Sequence, residues 1–137
     1  METAVFARPD FADRAARDAA MAAWLEAQGA GWIVCAGYMH LLTPAFLDRF
    51  PDRIVNTHSA PLPAFPGAHP IEDVLAAGVD ETAATVHYVD EGVDTGAVIA
   101  AEPVPVLPDD TPDTLRARVQ AVEHALLPRV VGELIAS

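Results

Sequence analysis

The stretch that decides the fold is residues 53–67, which read RIVNTHSAPLPAFPG. Ile and Val at the centre of residues 53–56 predict a short strand. The proline-rich residues 61–67 are too irregular for a helix or a sheet, and they predict a loop. Asn56 and His58 therefore lie where a strand ends, and ligands of open α/β sheets gather at such strand ends.

Outward from this stretch, helical and extended patterns alternate along the chain. They predict a helix over 11–28, a buried strand over 32–36, a short helix over 43–50, a helix over 70–77, strands over 85–89 and 97–106, and a last helix over 113–135. Pro103 and Pro105 are typical of a sheet edge, and Pro128 predicts a kink or break in the last helix. The order is α/β, and we expect one domain over residues 1–137 with an open, mostly parallel, Rossmann-related sheet.

The charge composition excludes several functional classes. The chain has 20 acidic and 8 basic residues, a net charge of −12, and Arg as its only basic residue type. Such a chain lacks the basic face that nucleic acids require, and without Lys it forms neither a lysine Schiff base nor a P-loop lysine contact. Backbone N–H groups and a few Arg side chains can still bind phosphate locally.

Membrane and metal functions find little support in the sequence. No apolar run approaches the roughly 20 residues of a membrane span, and the N-terminus lacks the apolar region of a signal peptide. We therefore expect a cytoplasmic protein with no membrane partner. Cys35, the single cysteine, lies in an apolar run, which favours a buried structural thiol over a nucleophile. No local pair of histidines has helical i, i+4 spacing with a nearby acid, so we expect no metal.

The residues at the end of strand 53–56 suggest acyl transfer. Asn56 and His58 are two apart in extended chain, so their side chains point the same way. An amide N–H and an imidazolium can stabilise the oxyanion that forms when a carbonyl is attacked, and residues 90–96, an acidic loop, can supply a carboxylate. A strand-terminal turn, an ordinary histidine and a solvated acidic loop also explain these residues, and the spacing alone favours that interpretation.

Several motifs in register resemble those of the folate-dependent formyltransferases, and in particular the phosphoribosylglycinamide (GAR) formyltransferases. The motifs are Asn-x-His at 56–58, PGAH at 66–69, TVHYV at 85–89, DEGVDTG at 90–96, AGYMHLLTP at 36–44 and RVQAVEH at 118–124. The likeness covers nearly the whole chain and implies the formyltransferase-like variant of the α/β fold.

The resemblance implies a function and a set of site residues. The reaction would transfer a formyl group from 10-formyltetrahydrofolate, a co-substrate, to the amine of glycinamide ribonucleotide in purine biosynthesis. The implied catalytic residues are Asn56, His58 and Asp94. The implied folate contacts are Met39, His40, Leu41, Leu42, Val89, Asp90, Glu91, Gly92 and Val93. Glu123 and His69 would face the ribonucleotide, although His69 could equally hold its loop. The position of His87 in the middle of a predicted strand favours a structural, hydrogen-bonded role.

Two departures from the family pattern affect these expectations. Ser59 and Ala60 follow His58 where the family usually has Pro, which alters the loop but removes no catalytic group. The family also begins with a strand and a Gly/Ser/Asn-rich phosphate-binding loop that has no counterpart before Trp32, so we expect an N-terminally truncated fold. Strand 32–36 would then be an exposed edge, and the chain alone would bind GAR poorly or be inactive.

Three alternatives stay open at this point. The first is 10-formyltetrahydrofolate hydrolase, in which water replaces the amine. The second is a non-catalytic fragment, and the third is a subunit that associates with itself or with a complementing N-terminal chain.

Overall fold

The computed structural model describes residues 2–35 and 41–136. These form a short 3₁₀ helix at Arg8–Asp10, four α-helices and four strands. The helices are α1 (Arg14–Ala27), α2 (Pro44–Leu47), α3 (Pro70–Ala77) and α4 (Pro112–Ala136), and the strands are β1 (Ile33–Val34), β2 (Ile54–His58), β3 (Glu81–Tyr88) and β4 (Val98–Pro105). The predicted α/β class and open sheet are confirmed.

The described strands form one sheet in the order β1-β2-β3-β4. β1 pairs with β2 in parallel, whereas β2–β3 and β3–β4 are antiparallel. The sheet is therefore mixed, and the expectation of a mostly parallel sheet is wrong. A parallel β3 would need a crossover that returns the chain to the start of β2. The connection, residues 59–80, includes α3 but does not make that return, because β3 begins near the end where β2 finishes and His58 pairs with Thr85.

Both faces of the sheet are covered by helices. Neighbouring residues of a strand point to opposite faces, and Ile54 and Val55 belong to different apolar clusters. Ile54 packs with Ala22 of α1 and Phe46 of α2. Val55 belongs to the larger cluster, which includes buried residues of α3 and α4 such as Val74 and Leu115. The result is a three-layer arrangement in which α3 and α4 cover one face and α1 and α2 cover the other.

The two outer strands agree with the sequence-based expectations. β1 lies at one edge of the sheet, and its Val34 is 40% exposed. β4 lies at the other edge and contains Pro103 and Pro105. Proline has no backbone N–H to donate to a neighbouring strand, and an edge strand tolerates this.

Several predicted boundaries differ from the structure. β1 and α2 are shorter than predicted, and β2 continues to His58. β3 begins at Glu81 rather than at residue 85, because pairing with β4 extends it through residues of low intrinsic strand preference such as Ala83 and Ala84. The predicted break at Pro128 is absent, since α4 continues through it to Ala136.

No helix in residues 2–35 and 41–136 is long and apolar enough to cross a membrane. The cytoplasmic location, the single domain over 1–137 and association with another chain stay predictions.

Candidate active site

The carboxyl end of β2 carries Asn56 and His58, as the sequence predicts. The backbone N–H of Thr57 donates to Oδ1 of Asn56 at 2.8 Å. The oxygen of the amide is thus held by the backbone, which leaves its NH₂ group as the donor available to a ligand. Asn56 lines a cavity formed by the described residues.

The imidazole of His58 is buried, with 7% of its surface exposed. Its Nε2 lies 2.7 Å from the carbonyl oxygen of Phe65 and donates to it. Its Nδ1 faces Asp94, at 3.4 Å from Oδ2. Both ring nitrogens face oxygen acceptors, which matches the two N–H donors of a protonated imidazole.

Residues from three other segments of the chain approach the carboxylate of Asp94. Its Oδ2 also accepts a hydrogen bond of 2.8 Å from the backbone N–H of Gly67 in the proline-rich loop. Its Oδ1 lies 3.7 Å from Nε2 of His87 on β3. Asp94 has a φ of 55°, a left-handed conformation in which Asp is among the better tolerated residues. The carboxylate therefore lies between two imidazoles.

The acidic loop that carries Asp94 is closed by its own side chains. Oδ1 of Asp90 accepts from the backbone N–H of Gly92 at 2.9 Å and from the hydroxyl of Thr95 at 2.5 Å. At the end of the loop, Gly96 passes so close to the carbonyl oxygen of Tyr88 that any Cβ would collide with it. The loop can follow this path only with glycine at position 96.

His87 is 2% exposed, and its Nδ1–H donates to the carbonyl oxygen of Tyr88 at 2.9 Å. This agrees with the predicted hydrogen-bonded role. The sequence did not indicate that Nε2 of His87 would face Asp94, because the pairing of β2 with β3 could not be predicted from it. The register that pairs His87 with Asn56 brings the two histidines to the same end of the sheet.

A cavity of about 730 Å³ opens over these groups. The predicted site residues that line it are Asn56, His58, Asp94, Leu41, Leu42, Val89, Asp90, Gly92, Val93, His69 and Glu123. Glu91 is exposed in the same loop and is not among the lining residues. Met39 and His40 lie outside the described residues.

The structure adds lining residues that sequence reasoning missed. Arg116 and Gln120 reach the cavity from α4, about two turns and one turn before Glu123, respectively. Their i, i+4, i+7 spacing with Glu123 marks one face of a helix, and this signal was present in the sequence. Ser59, the residue at which the chain departs from the resembled pattern, donates its hydroxyl to Oε1 of Glu123 at 2.8 Å.

Cys35 is half-buried and also lines the cavity. Burial raises the pKa of its thiol to about 11, so the thiolate is scarce at neutral pH. This supports the structural interpretation of Cys35. The described residues contain no group of three or more His, Cys, Asp and Glu side chains able to hold a metal ion.

An amide donor, an imidazole and a carboxylate meet at one strand end of this α/β sheet, an arrangement that acyl-transfer sites use. The model of the formyl transferase family matches residues 1–131. The chain belongs to this family, which confirms the resemblance seen in its motifs.

Individual relatives give the same result. Phosphoribosylglycinamide formyltransferase of Mycobacterium tuberculosis (strain ATCC 25618 / H37Rv) is 48% identical over 125 residues, which cover 91% of this chain and 58% of the relative. The trifunctional purine biosynthetic protein adenosine-3 of Drosophila melanogaster is 42% identical over 131 residues, 96% of this chain and 10% of that protein. The chain thus spans little more than half the length of the mycobacterial relative.

Solved structures share the fold. Glycinamide ribonucleotide transformylase 1 from Geobacillus kaustophilus superposes with a TM-score of 0.90 at 44% identity, over 95% of this chain and 69% of that one. Phosphoribosylglycinamide formyltransferase from Streptococcus pneumoniae TIGR4 gives a TM-score of 0.90 at 44% identity, over 93% and 71% of the two chains.

Proposed function

We propose that this chain transfers a formyl group from 10-formyltetrahydrofolate to the amine of glycinamide ribonucleotide, a step of purine biosynthesis. The observation that carries the proposal is the meeting of His58 with Asp94, at 3.4 Å, in a cavity that Asn56 also lines. The names of the relatives support the acceptor, because they favour an amine over the water that a hydrolase would use.

Asn56 and His58 act on the formyl group. When the amine nitrogen attacks the formyl carbon, a C–N bond forms and the formyl oxygen becomes an oxyanion. The NH₂ group of Asn56 and an N–H of His58 donate to that oxygen. Nδ1 of His58 faces Asp94, so its Nε2 is the donor. When the substrate binds, Nε2 exchanges its present acceptor, the carbonyl oxygen of Phe65, for the formyl oxygen. Removing one such donor typically costs about 2.7–4 kcal/mol of barrier lowering.

Asp94 acts through charge and through the proton. Its carboxylate stabilises the imidazolium form of His58 while the oxyanion exists. It also accepts the proton that the amine loses on attack and passes it to the folate nitrogen as the bond between that nitrogen and the formyl carbon breaks. The three contacts of Asp94 with other segments hold the carboxylate in place for both tasks.

The two substrates use different lining residues of the cavity. Leu41, Leu42 and the loop over residues 89–93 supply apolar side chains and backbone groups, which suit the folate ring. Glu123 and Gln120, both on α4, offer polar groups to the ribonucleotide. His69, at the start of α3, also lines the cavity.

The direct test of the proposal is formyl transfer by the purified chain and by His58→Asn. The motif pattern predicted a weak or inactive chain, but the meeting of His58 with Asp94 in a cavity that Asn56 lines leads us to expect tetrahydrofolate when, and only when, both substrates are present. The substitution should lower kcat by about 10²–10³-fold, since one oxyanion donor is removed, with little change in either KM. The formation of tetrahydrofolate is followed by absorbance, and the formylated product by mass spectrometry.

His124→Asn is the matched control, because His124 is exposed on α4 and does not line the cavity. It should leave kcat unchanged. Tetrahydrofolate formation at the same rate without the ribonucleotide would identify a hydrolase instead. A His58→Asn variant with wild-type kcat would remove the basis of the mechanism.

A further inference from the structure

The cavity contains a positive charge that the proposed chemistry does not use. Among the described lining residues, the carboxylates are Glu72, Asp90, Asp94 and Glu123, whereas Arg116 is the only Arg. The chain contains no Lys at all. The four carboxylates repel an anionic ligand, so the guanidinium of Arg116 is the group that can balance the negative charge of such a ligand.

Arg116 lies at a defined distance from the reacting end. Arg116, Gln120 and Glu123 share one face of α4 and line the cavity. The hydroxyl of Ser59, the residue after His58, donates to Oε1 of Glu123 at 2.8 Å and so ties this face of α4 to the end of β2. Arg116 precedes Glu123 by seven residues, which is roughly 10 Å along the helix axis. A ligand with its amine near His58 and an anionic group about 10 Å away would reach both ends of this face.

The present partners of Arg116 can be exchanged for a ligand. Its Nη2 donates to Oε1 of Glu72 on α3 at 2.9 Å, and its Nη1 donates to Oδ1 of Asp113 at 3.3 Å. The side chains of Arg116 and Glu72 are 40% and 47% exposed. Such exposed ion pairs contribute little stability, so a more highly charged partner can replace Glu72.

We propose that Arg116 binds the phosphate monoester of the amine-bearing ribonucleotide and exchanges Glu72 for it when the ligand arrives. The inference rests on the proposed function and adds a specificity residue to it. A phosphate monoester carries close to two negative charges and several acceptor oxygens, and the planar guanidinium can meet two of them at once. The spacing along α4 then selects a ribonucleotide over a free amine.

The test measures dissociation constants by calorimetry for glycinamide ribonucleotide and for the corresponding ribonucleoside, which lacks phosphate. We expect Arg116→Gln to weaken ribonucleotide binding by about tenfold or more, the factor that charge-assisted hydrogen bonds contribute. Ribonucleoside binding should not change. Glu72→Gln should tighten ribonucleotide binding, because it releases Arg116 from its present partner.

Arg129→Gln is the matched control. Arg129 forms an exposed pair with Glu102 at 3.4 Å and does not line the cavity, so its loss should change neither constant. Arg116→Lys should recover part of the affinity, because it restores the charge without the planar pair of donors.

Several results would overturn the inference. These are equal ribonucleotide affinity in wild type and Arg116→Gln, an equal loss for the ribonucleoside, or no ribonucleotide binding by wild type at millimolar concentration. A loss confined to folate, and absent for a folate lacking its glutamate, would assign Arg116 to a carboxylate instead. Failure of the proposed function has another signature: the wild-type chain would bind no 10-formyltetrahydrofolate and transfer no formyl group.

Discussion

At the scale of single residues, the candidate site depends on Asp94 being held where β2, β3 and the proline-rich loop converge. No one contact positions it: the backbone of Gly67 and the rings of His58 and His87 each approach the carboxylate from a different segment. The left-handed φ of Asp94 persists because the surrounding contacts determine it. A change that shifts the acidic loop should therefore affect the chemistry even if it leaves Asp94 itself intact.

Gly96→Ala tests this dependence. The new Cβ would collide with the carbonyl oxygen of Tyr88, so the loop must shift. We expect a loss of about 1–3 kcal/mol in the free energy of unfolding together with a fall in kcat, measured by urea denaturation and the formyl-transfer assay.

The control for this variant has the opposite expected sign. A Cβ at Gly132, in α4, would meet nothing within 4 Å. Gly132→Ala should therefore stabilise the chain by about 0.8–1 kcal/mol, because Ala favours the helix. If Gly96→Ala were as stable and active as wild type, the close approach at Tyr88 would have no consequence.

At the scale of elements, a buried carboxylate joins α1 to the start of α2. Asp18 is 0% exposed, and its Oδ2 accepts from the backbone N–H of Thr43 at 2.7 Å and from the Thr43 hydroxyl at 2.8 Å. Thr43 immediately precedes α2, so Asp18 supplies from another helix the cap that the Thr43 side chain does not provide. The connection also fixes Leu41 and Leu42, which form a wall of the cavity.

Asp18→Ala should destabilise the fold through these two bonds. Hydrogen bonds to charged groups contribute about 1.5–3 kcal/mol, and the loss should appear as a lower urea midpoint. Thr43→Ser keeps both donors and should remain close to wild type, whereas Thr43→Val keeps only the backbone donor and should fall between. If all three variants unfold at the wild-type midpoint, the connection does not stabilise the fold.

At the scale of the whole molecule, the response to acid depends on how the acidic side chains are paired. Asp110, between β4 and α4, accepts hydrogen bonds from both terminal nitrogens of Arg118, at 2.7 and 2.9 Å. These bonds, followed by one from the backbone N–H of Leu107, hold the pKa of the Asp110 carboxyl well below its usual range. Arg118 also donates to the carbonyl oxygen of Pro105 at the end of β4, so the cluster secures the junction of the sheet with α4.

The pH dependence follows from the direction of this shift. A carboxyl with a lowered folded pKa stabilises the fold above its unfolded pKa of about 3.9, and this stability is lost as the pH falls toward the folded value. The urea midpoint of wild type should exceed that of Asp110→Asn at pH 7, and the difference should shrink between about pH 5 and pH 2.

Asp113→Asn is the comparison for this experiment. Asp113 is 97% exposed where it pairs with Arg116, so its substitution should change the midpoint little at any pH. A difference between wild type and Asp110→Asn that stayed constant from pH 7 to pH 2 would contradict the assignment.

Helix and strand patterns predicted most of the elements, because apolar periodicity and turn residues act over a few neighbouring residues. The same local logic placed Asn56 and His58 together at a strand end. Local patterns did not predict the start of β3, because pairing with β4 overrides the local preference there. They also did not predict that α4 continues through Pro128, where packing against the sheet overrides the local preference.

What the sequence by itself determined is therefore the α/β class, the strand end that carries Asn56 and His58, and, through motifs in register, the family. What only the tertiary structure decided is the antiparallel direction of β3, the meeting of Asp94 with both histidines and the place of Arg116 on the cavity. These features join residues far apart in the chain. Their geometry depends on the path of the connecting loop and helix, which no local pattern of side chains encodes.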